Sequence, residues 1–240
     1  MKARDPKTIT AAAFAVGLLL AALVSYLTID PGPTERGEMI KLSLIGAFLV
    51  AAVVVLAVGL STSVTRARRA LGKAEAVAVG AAPAGQVAKL VGVVELIEPL
   101  DAPLSGRPCA YYRVSAEQSL AAIEASDRPF QPLVVERGVD FLLVDESGKA
   151  LVRMDGAVVA VTRDQEYGER GVDHSKQEAL LASAGRELAF GLQFTEGVLE
   201  PGERIAVLGR IERVDDQAHT VAVDAPEGGK VRVTDDPALL

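Results

Sequence analysis

VAKLVGVVEL, residues 87–96, is the stretch whose reading decides the fold of this chain. It sets β-branched and apolar side chains in rough alternation, the pattern of a strand that buries one face. Its middle, KLVGVVE (89–95), is echoed by AVLGRIE (206–212); each has an apolar-Gly-x-[Val/Ile]-Glu core. A glycine in mid-strand marks a bulge or a sharp bend, and a sheet that closes into a barrel needs such corners.

Further strands follow at short spacing. They are read at 110–114, 133–136, 140–144, 150–154, 157–162, 188–194, 204–214, 219–224 and 230–234. Asp145-Glu146-Ser147-Gly148 reads as a hairpin turn whose glycine tolerates φ > 0. Ala225-Pro226-Glu227-Gly228-Gly229 reads as a second hairpin turn, joining the last two strands. One segment departs from the pattern: DHSKQEALLASAG (173–185) offers Ser175 as an N-cap, a helix over 177–184 and Gly185 as its stop. A weaker helical turn is read at 119–125. Eight to ten strands with one short inserted helix predict a mainly-β domain, an OB-like barrel or a sandwich, with the barrel preferred.

In front of this domain stand two apolar runs of 21 residues, 9–29 and 40–60, with Lys41 as their one charge. At helical rise each is long enough to cross a hydrocarbon core of about 30 Å. The sequence therefore predicts a two-helix transmembrane hairpin over 1–62, a basic juxtamembrane segment and linker over 63–86, and the β domain over 87–240. Lys2, Arg4 and Lys7 precede the first run, and Arg66, Arg68, Arg69 and Lys73 follow the second, against Arg36 and Lys41 between them. That bias places both termini and the soluble domain in the cytoplasm. No small-residue cleavage site follows the first run, so it is not read as a signal peptide. Ala-rich AEAVAVGAAPAGQ (74–86) reads as a tether. Ala47 and Ala51, four apart, are spaced for helix packing or self-association within the spans.

Charge and composition exclude several classes. Residues 1–73 hold nine Lys and Arg against four Asp and Glu, a net of +5; the rest hold sixteen against twenty-eight, a net of −12. A domain this acidic repels nucleic acid phosphates. The single cysteine, Cys109, rules out an internal disulfide, and with only His174 and His219 beside it the sequence cannot supply a four-ligand Cys/His zinc site. No cofactor and no metal are expected.

Three stretches in order, APLSGRPCAYYR (102–113), FLLVDESGKALV (141–152) and LEPGERIAVLGR (199–210), resemble the GIDE domain, also called the BAM or "beside a membrane" domain. That domain occurs in mitochondrial RING-type ubiquitin ligases and in many prokaryotic membrane proteins, and the resemblance covers most of 87–224. In the ligases the domain lies between two spans and a RING follows. Here both runs precede it and the eight RING ligands are missing, so the chain looks like the prokaryotic form and ligase activity is not carried over.

The candidate site residues have two readings each. SGRPC (105–109) is either a recognition loop, in which Arg107 clamps a carboxylate or phosphate flanked by Tyr111, Tyr112 and Arg113, or a turn fixed by Pro103, Gly106 and Pro108. The turn is favoured. Strand alternation would set Cys109 and Tyr111 on one face and Ala110 and Tyr112 on the other, with no base near the thiol. Asp173-His174-Ser175 has the letters of a hydrolytic triad, but adjacent loop residues cannot converge as one. Asp145-Glu146, Asp215-Asp216 and Asp235-Asp236 lack the spacing of a calcium loop and read as solvated turns. The favoured function is a non-enzymatic, membrane-anchored interaction or scaffold module with an unidentified protein partner. A ligand- or peptide-binding membrane sensor is the alternative, betrayed by a concave pocket or an unpaired sheet edge. An enzyme dependent on Cys109 or His174 is the weakest reading.

Overall fold

The computed structural model describes residues 46, 62–162, 164–167, 174–215 and 220–240, excepting the side chains of 165–167, 214, 215 and 220. Along the chain these form α1 (Ser63–Lys73), β1 (Ala76–Val77), a 3₁₀ turn (Val79–Ala81), β2 (Val87–Leu96), β3 (Leu100–Asp101), β4 (Pro108–Cys109) and β5 (Tyr111–Gln118). Then come α2 (Leu120–Glu124), β6 (Leu133–Gly138), β7 (Phe141–Asp145), β8 (Gly148–Val152), β9 (Val158–Ala160), β10 (Gln165–Tyr167) and α3 (His174–Ser183). The chain ends with β11 (Leu192–Leu199), β12 (Arg204–Asp215), β13 (Thr220–Asp224), β14 (Arg232–Thr234) and a 3₁₀ turn at Pro237–Leu239.

Five strands close on themselves in the order β2-β7-β8-β13-β12, with β2 returning to β12. The closing contact is antiparallel and runs over seven residues, from Arg204 opposite Val93 to Arg210 opposite Val87. β8 and β13 are parallel neighbours; the other contacts in the ring are antiparallel. Alternate residues point inward, among them Leu90, Phe141, Leu143, Ile205, Val207 and Val223, and they fill the barrel as one apolar core.

The two echoed glycines sit at inward positions of the two longest strands. A Cβ at Gly92 would lie 2.6 Å from the Val144 carbonyl oxygen, and one at Gly209 would lie 2.5 Å from Val223 Cγ1 and 2.8 Å from the Asp224 oxygen. Each glycine thus lets the neighbouring strand approach more closely than any side chain allows. Among the described residues only β12 carries a register shift, further along, between Arg213 and Asp215.

The second sheet is four-stranded, in the order β10-β11-β5-β6. It is assembled from two insertions into the barrel, one between β2 and β7 and one between β8 and β12. β5 and β11 pair along their whole length, from Leu192 opposite Gln118 to Leu199 opposite Tyr111. Leu180 and Leu181 of α3 pack on this sheet against Val114, Val135 and Phe194. Gly185 ends α3 with φ at +68°, the left-handed stop the sequence announces.

Several expectations need correction. The expected fold class, a two-helix transmembrane hairpin with a mainly-β domain and one inserted helix, does not hold. The described residues are mainly β, with a small barrel-like sheet, three short α-helices and no helix long and apolar enough to cross a membrane. The runs 9–29 and 40–60, with Ala47 and Ala51, lie outside the described residues, as do Asp173, Asp216 and His219. The additional helix α1 takes up Arg66, Arg68, Arg69 and Lys73, and it buries Leu71 against Ala206 and Leu208.

The Ala-rich tether is ordered. β1 pairs with β2, and the Val79 and Gly80 N–H groups donate to Asp145 Oδ2 and Ser147 Oγ, both at 2.8 Å. Burial works to raise the pKa of Asp145, but its hydrogen bonds from the Ser147 hydroxyl and from the N–H groups of Val79, Ser147 and Gly148 prevail and lower it. The turn at 145–148 is a hairpin as expected, though Gly148 is not left-handed. The second expected hairpin is not one. β13 and β14 do not pair with each other; both lie on the same edge of β12, at Arg210–Asp215 and Ala206–Leu208. The chain leaves that edge after Asp224, loops out through Gly228 and returns at Arg232.

Gly92→Ala and Gly209→Ala should each destabilise the chain by roughly 1–3 kcal/mol through overpacking at backbone contacts. A lower urea midpoint with an unchanged slope is the expected outcome.

Candidate functional site

The loop between β3 and β4 holds the candidate recognition residues, and the geometry of the loop is set from below by one carboxylate. Leu192, Phe194, Glu196 and Val198 alternate on the buried face of β11, so Glu196 occupies a core position and is 0 % exposed. Its two oxygens accept from the backbone N–H groups of Leu104 at 2.9 Å and Ser105 at 3.0 Å. Lys176 of α3 donates its Nζ to the Leu104 carbonyl at 3.0 Å. Gly106, at φ +75°, turns the chain back so that Ala102 N–H meets the Arg107 carbonyl. A carboxylate that receives two backbone donors is a strong, directional clamp, and here it fixes the whole loop to the second sheet.

Arg107 emerges from this loop between acids. Its Nη1 donates to Glu200 Oε2 at 3.0 Å and its Nη2 to Asp164 Oδ2 at 3.4 Å. Asp164 Oδ2 also accepts the Val198 N–H at 3.0 Å. The Arg107 guanidinium therefore bridges the two insertions. Its Nε is buried and has no hydrogen-bond partner among the described residues.

The other candidate residues separate. Tyr111 is buried in the barrel core and donates its hydroxyl to Glu136 Oε2 at 3.1 Å. Burial, then the Glu136 charge, pushes its phenol pKa up. Arg113 Nη1 lies 3.8 Å from the same carboxylate. Tyr112 packs instead in a small cluster with Ala102, Cys109 and Val198, and burial raises its pKa as well. The expected alternation is therefore broken. Ala110 and Tyr111 face the barrel core together, while Cys109 and Tyr112 share the other cluster. The cause is a break at Ala110, between β4 and β5, whose N–H meets the Leu199 carbonyl and whose own carbonyl accepts the Val139 N–H.

The chemistry of this region is that of a clasp. Burial, followed by the charges of Glu196 and Glu200, pushes the Cys109 thiol up to about 11, so it stays protonated and is a poor nucleophile at neutral pH. His174 begins α3 on the surface. Among the described residues no group of three His, Cys, Asp or Glu side chains is placed to hold a metal ion. Glu203 is half-buried beside Glu200, whose N–H donates to Glu203 Oε2 at 3.0 Å. Burial raises the Glu203 pKa to about 7, the Glu200 N–H opposes this, and the charges of Asp235, Asp164 and Glu200 add to it. Asp235 is likewise raised by burial, against the N–H and hydroxyl that Thr162 donates to it.

Glu196, Asp164, Glu200 and Lys176 were not among the residues singled out from sequence. A signal for Glu196 was present: it replaces an apolar residue in the Leu192-Phe194-Glu196-Val198 alternation, and a carboxylate there must find donors.

A second feature lies at the far end of the four-stranded sheet. Ser119 caps α2 and its N–H meets the Gly191 carbonyl, while Gln118 Nε2 donates to the Phe190 carbonyl and Gln118 Oε1 accepts the Phe130 N–H. These bonds hold α2 and the 188–191 loop side by side. Leu120, Ile123, Leu188 and Phe190 are nevertheless exposed, Phe190 to 78 % and Leu120 to 72 %.

Two outcomes test the clasp. Glu196→Ala strands two buried N–H donors and should cost roughly 3 kcal/mol in denaturant unfolding. Glu203 holds a proton in the folded state between its ordinary value of 4.5 and about 7, where the unfolded chain has released it. Stability therefore falls as pH rises through that window and levels off above it. In Glu203→Gln, thermal melts across pH 4 to 8 should lose that downward slope.

No curated protein and no solved structure matches the chain. A family model described as GIDE, E3 Ubiquitin ligase, matches residues 122–235. Two of the three stretches that carry the resemblance, 141–152 and 199–210, lie inside that match; 102–113 precedes it, yet is clamped to it by Glu196 and paired to it through β11. Residues 122–235 are therefore similar to the GIDE family.

Proposed function

We propose that this chain is a non-enzymatic interaction module, associated with a membrane and presenting its β unit to a protein partner on the cytoplasmic side. The observation that carries this reading is the set of exposed apolar side chains at the end of the four-stranded sheet, Leu120, Ile123, Leu188 and Phe190. Large apolar groups gathered on two neighbouring segments are a feature of interaction surfaces, since a free surface gains nothing by ordering them in contact with water. The candidate recognition loop supports the same reading from the other side. Its arginine meets Glu200 and Asp164 through both Nη atoms, and Glu196 holds its backbone, which is what a loop selected for shape requires.

Membrane association is supported by the apolar composition of 9–29 and 40–60, and the cytoplasmic side by the basic residues that flank them. The acidic balance of residues 74–240 favours protein over nucleic acid as the partner. Ligase activity is not part of the proposal. A RING needs eight Cys or His ligands, and this sequence has one cysteine and two histidines.

A second reading, a peptide-binding sensor, draws on the edge of the same sheet. β6 pairs with β5 alone, and its other edge has no ladder partner among the described residues. An extended peptide could add there as a fifth strand.

Crosslinking and pull-down from native membranes, with the full chain beside Leu120→Asp and Phe190→Asp, separates these readings. Loss of the captured partner in both variants, with capture kept by the exposed control Glu146→Gln, is the expected result. Capture insensitive to both substitutions but abolished by Val134→Pro on β6 would instead favour strand addition.

A further inference from the structure

α1 holds Arg66, Arg68, Arg69 and Lys73 and no acid, and from Met39 to Ala74 the sequence contains no Asp or Glu. At helical pitch Arg66, Arg69 and Lys73 fall within about 60° of one another around the axis, and Ala67 and Leu71 lie about 150° away. The three basic residues are exposed, while Ala67 and Leu71 are 1 % and 0 % exposed. Leu71 packs on Ala206 and Leu208, the outward residues of β12 that alternate with the inward Ile205 and Val207. The helix is thus fastened to the outside of the barrel by one face and turns a row of three cations away from it on the other. We infer that this outward face of α1 docks on anionic lipid headgroups, with Arg66, Arg69 and Lys73 meeting their phosphates and carboxylates. The inference rests on the membrane-associated reading above and names the lipid class and the surface that takes it.

Packing accounts for Ala67 and Leu71 but not for the row of cations. Arg68, beside the row, has a structural use: its Nη1 lies 3.9 Å from Asp236 Oδ2, next to the last 3₁₀ turn. Asp236 caps that turn, and Leu239 within it reaches back to α1, where a Cβ on Gly72 would lie 3.2 Å from its Cδ2. No ion pair joins Arg66, Arg69 or Lys73 to an acid among the described residues. Helix stability does not ask for them either. Arg66 and Arg69 are three apart and Arg69 and Lys73 four apart, spacings at which like charges repel along a helix. Arg66 also stands in the first turn, where the helix dipole disfavours a cation. An anionic surface outside the protein reverses both effects.

Position and charge identify the occupant. The apolar residues 40–60 end just before Ser63, the first residue of α1. Three residues of extended chain reach about 10 Å at most, so α1 begins within a screening length of any surface that Leu60 touches. A Lys or Arg held so near an anionic leaflet strengthens association roughly fivefold. α1 carries four basic residues and no acid, while residues 74–240 carry a net of −12. An anionic surface therefore attracts α1 and repels the rest of the β unit, which selects the side that faces the headgroups. An acidic protein segment is the rival occupant. A protein interface is built around an apolar centre, and the outward face of α1 has no exposed large apolar side chain to supply one.

The test uses the full chain reconstituted with phosphatidylcholine bilayers that carry a trace of spin-labelled lipid, either phosphatidylserine or phosphatidylcholine. The motionally restricted fraction of each label measures the lipid held at the protein. The parent should hold phosphatidylserine at least fivefold over phosphatidylcholine at about 50 mM salt, and the two about equally at ~1 M, where screening acts within ~3 Å. Joint substitution Arg66→Gln, Arg69→Gln and Lys73→Gln should remove most of that preference. Arg66→Lys with Arg69→Lys should keep it, since headgroup attraction follows charge. Lys2→Gln, Arg4→Gln and Lys7→Gln together remove the same charge elsewhere and should change the preference less than about twofold. The α1 glutamine chain should melt within about a degree of the parent or above it. A glutamine chain that melts several degrees lower assigns the row a structural role and overturns the inference. So does a loss of preference as large in the 2, 4 and 7 variant. Partner capture lost in the glutamine chain while its lipid preference stays would give the face to a protein instead. Restricted lipid of both kinds without preference sinks the headgroup face and leaves membrane association. Restricted lipid of neither kind sinks the membrane reading and the inference with it.

Discussion

The antiparallel contact of β2 with β12 is the constraint on which the rest of the molecule depends. It joins Val87–Val93 to Arg204–Arg210 across more than a hundred residues and turns an open sheet into a ring. Closing so long a loop is entropically unfavourable, and the contact persists because it seals an apolar interior on which five strands converge. Gly92 and Gly209 are what make the closure possible at this radius. Both occupy inward positions where a methyl group would collide with the next strand, so the barrel is narrow enough to fill with side chains and leaves no channel.

Closure also explains why the second sheet exists. The two long insertions leave the barrel at different points, and neither contains a sheet that could stand alone: β5 and β6 come from the first, β10 and β11 from the second. A single hairpin of that size is marginal in water. Once the barrel brings their bases together, β5 finds β11 and the four-stranded sheet forms between insertions. Glu196 then links the second insertion to the loop of the first, and Arg107 repeats the link on the surface through Glu200 and Asp164. The stretch that looked most like a recognition loop is thus a fastening. The end of the sheet away from it is left with exposed apolar residues, and that is where the proposed interaction surface lies.

Much of this was legible from residue order. Val87–Leu96 is a strand with the bounds its alternation predicts, a short helical turn does form within 119–125, and Gly185 does stop α3, although Ser175, read as its N-cap, lies inside the helix. The glycine echo is a matched pair of close approaches. Other elements were hidden because their signal is not local. α1 reads as a basic linker, since only Leu71 and Ala67 are buried and their surface is supplied by β12 and β2. Asp224 and Arg232 bracket what reads as a hairpin, and only the length of β12, which offers one edge to both strands, shows that they do not pair.

Sequence by itself determined the mainly-β character, the paired mid-strand glycines, the helix stop and the acidic balance of the β unit, because each follows from periodicity or composition within a few residues; the strand read at 188–194 in fact runs over Leu192–Leu199. Tertiary structure decided which strands are neighbours, which carboxylate is buried and which face each side chain of the 109–112 segment takes. Those depend on partners far away in the chain. Cys109 and Tyr112 share a cluster because Ala110 breaks the strand to meet Leu199, and Glu196 is a clamp because two backbone donors ninety residues away come to rest on it. Alternation predicts a face only while a strand continues, and burial of a charge is possible only where the fold delivers its donors.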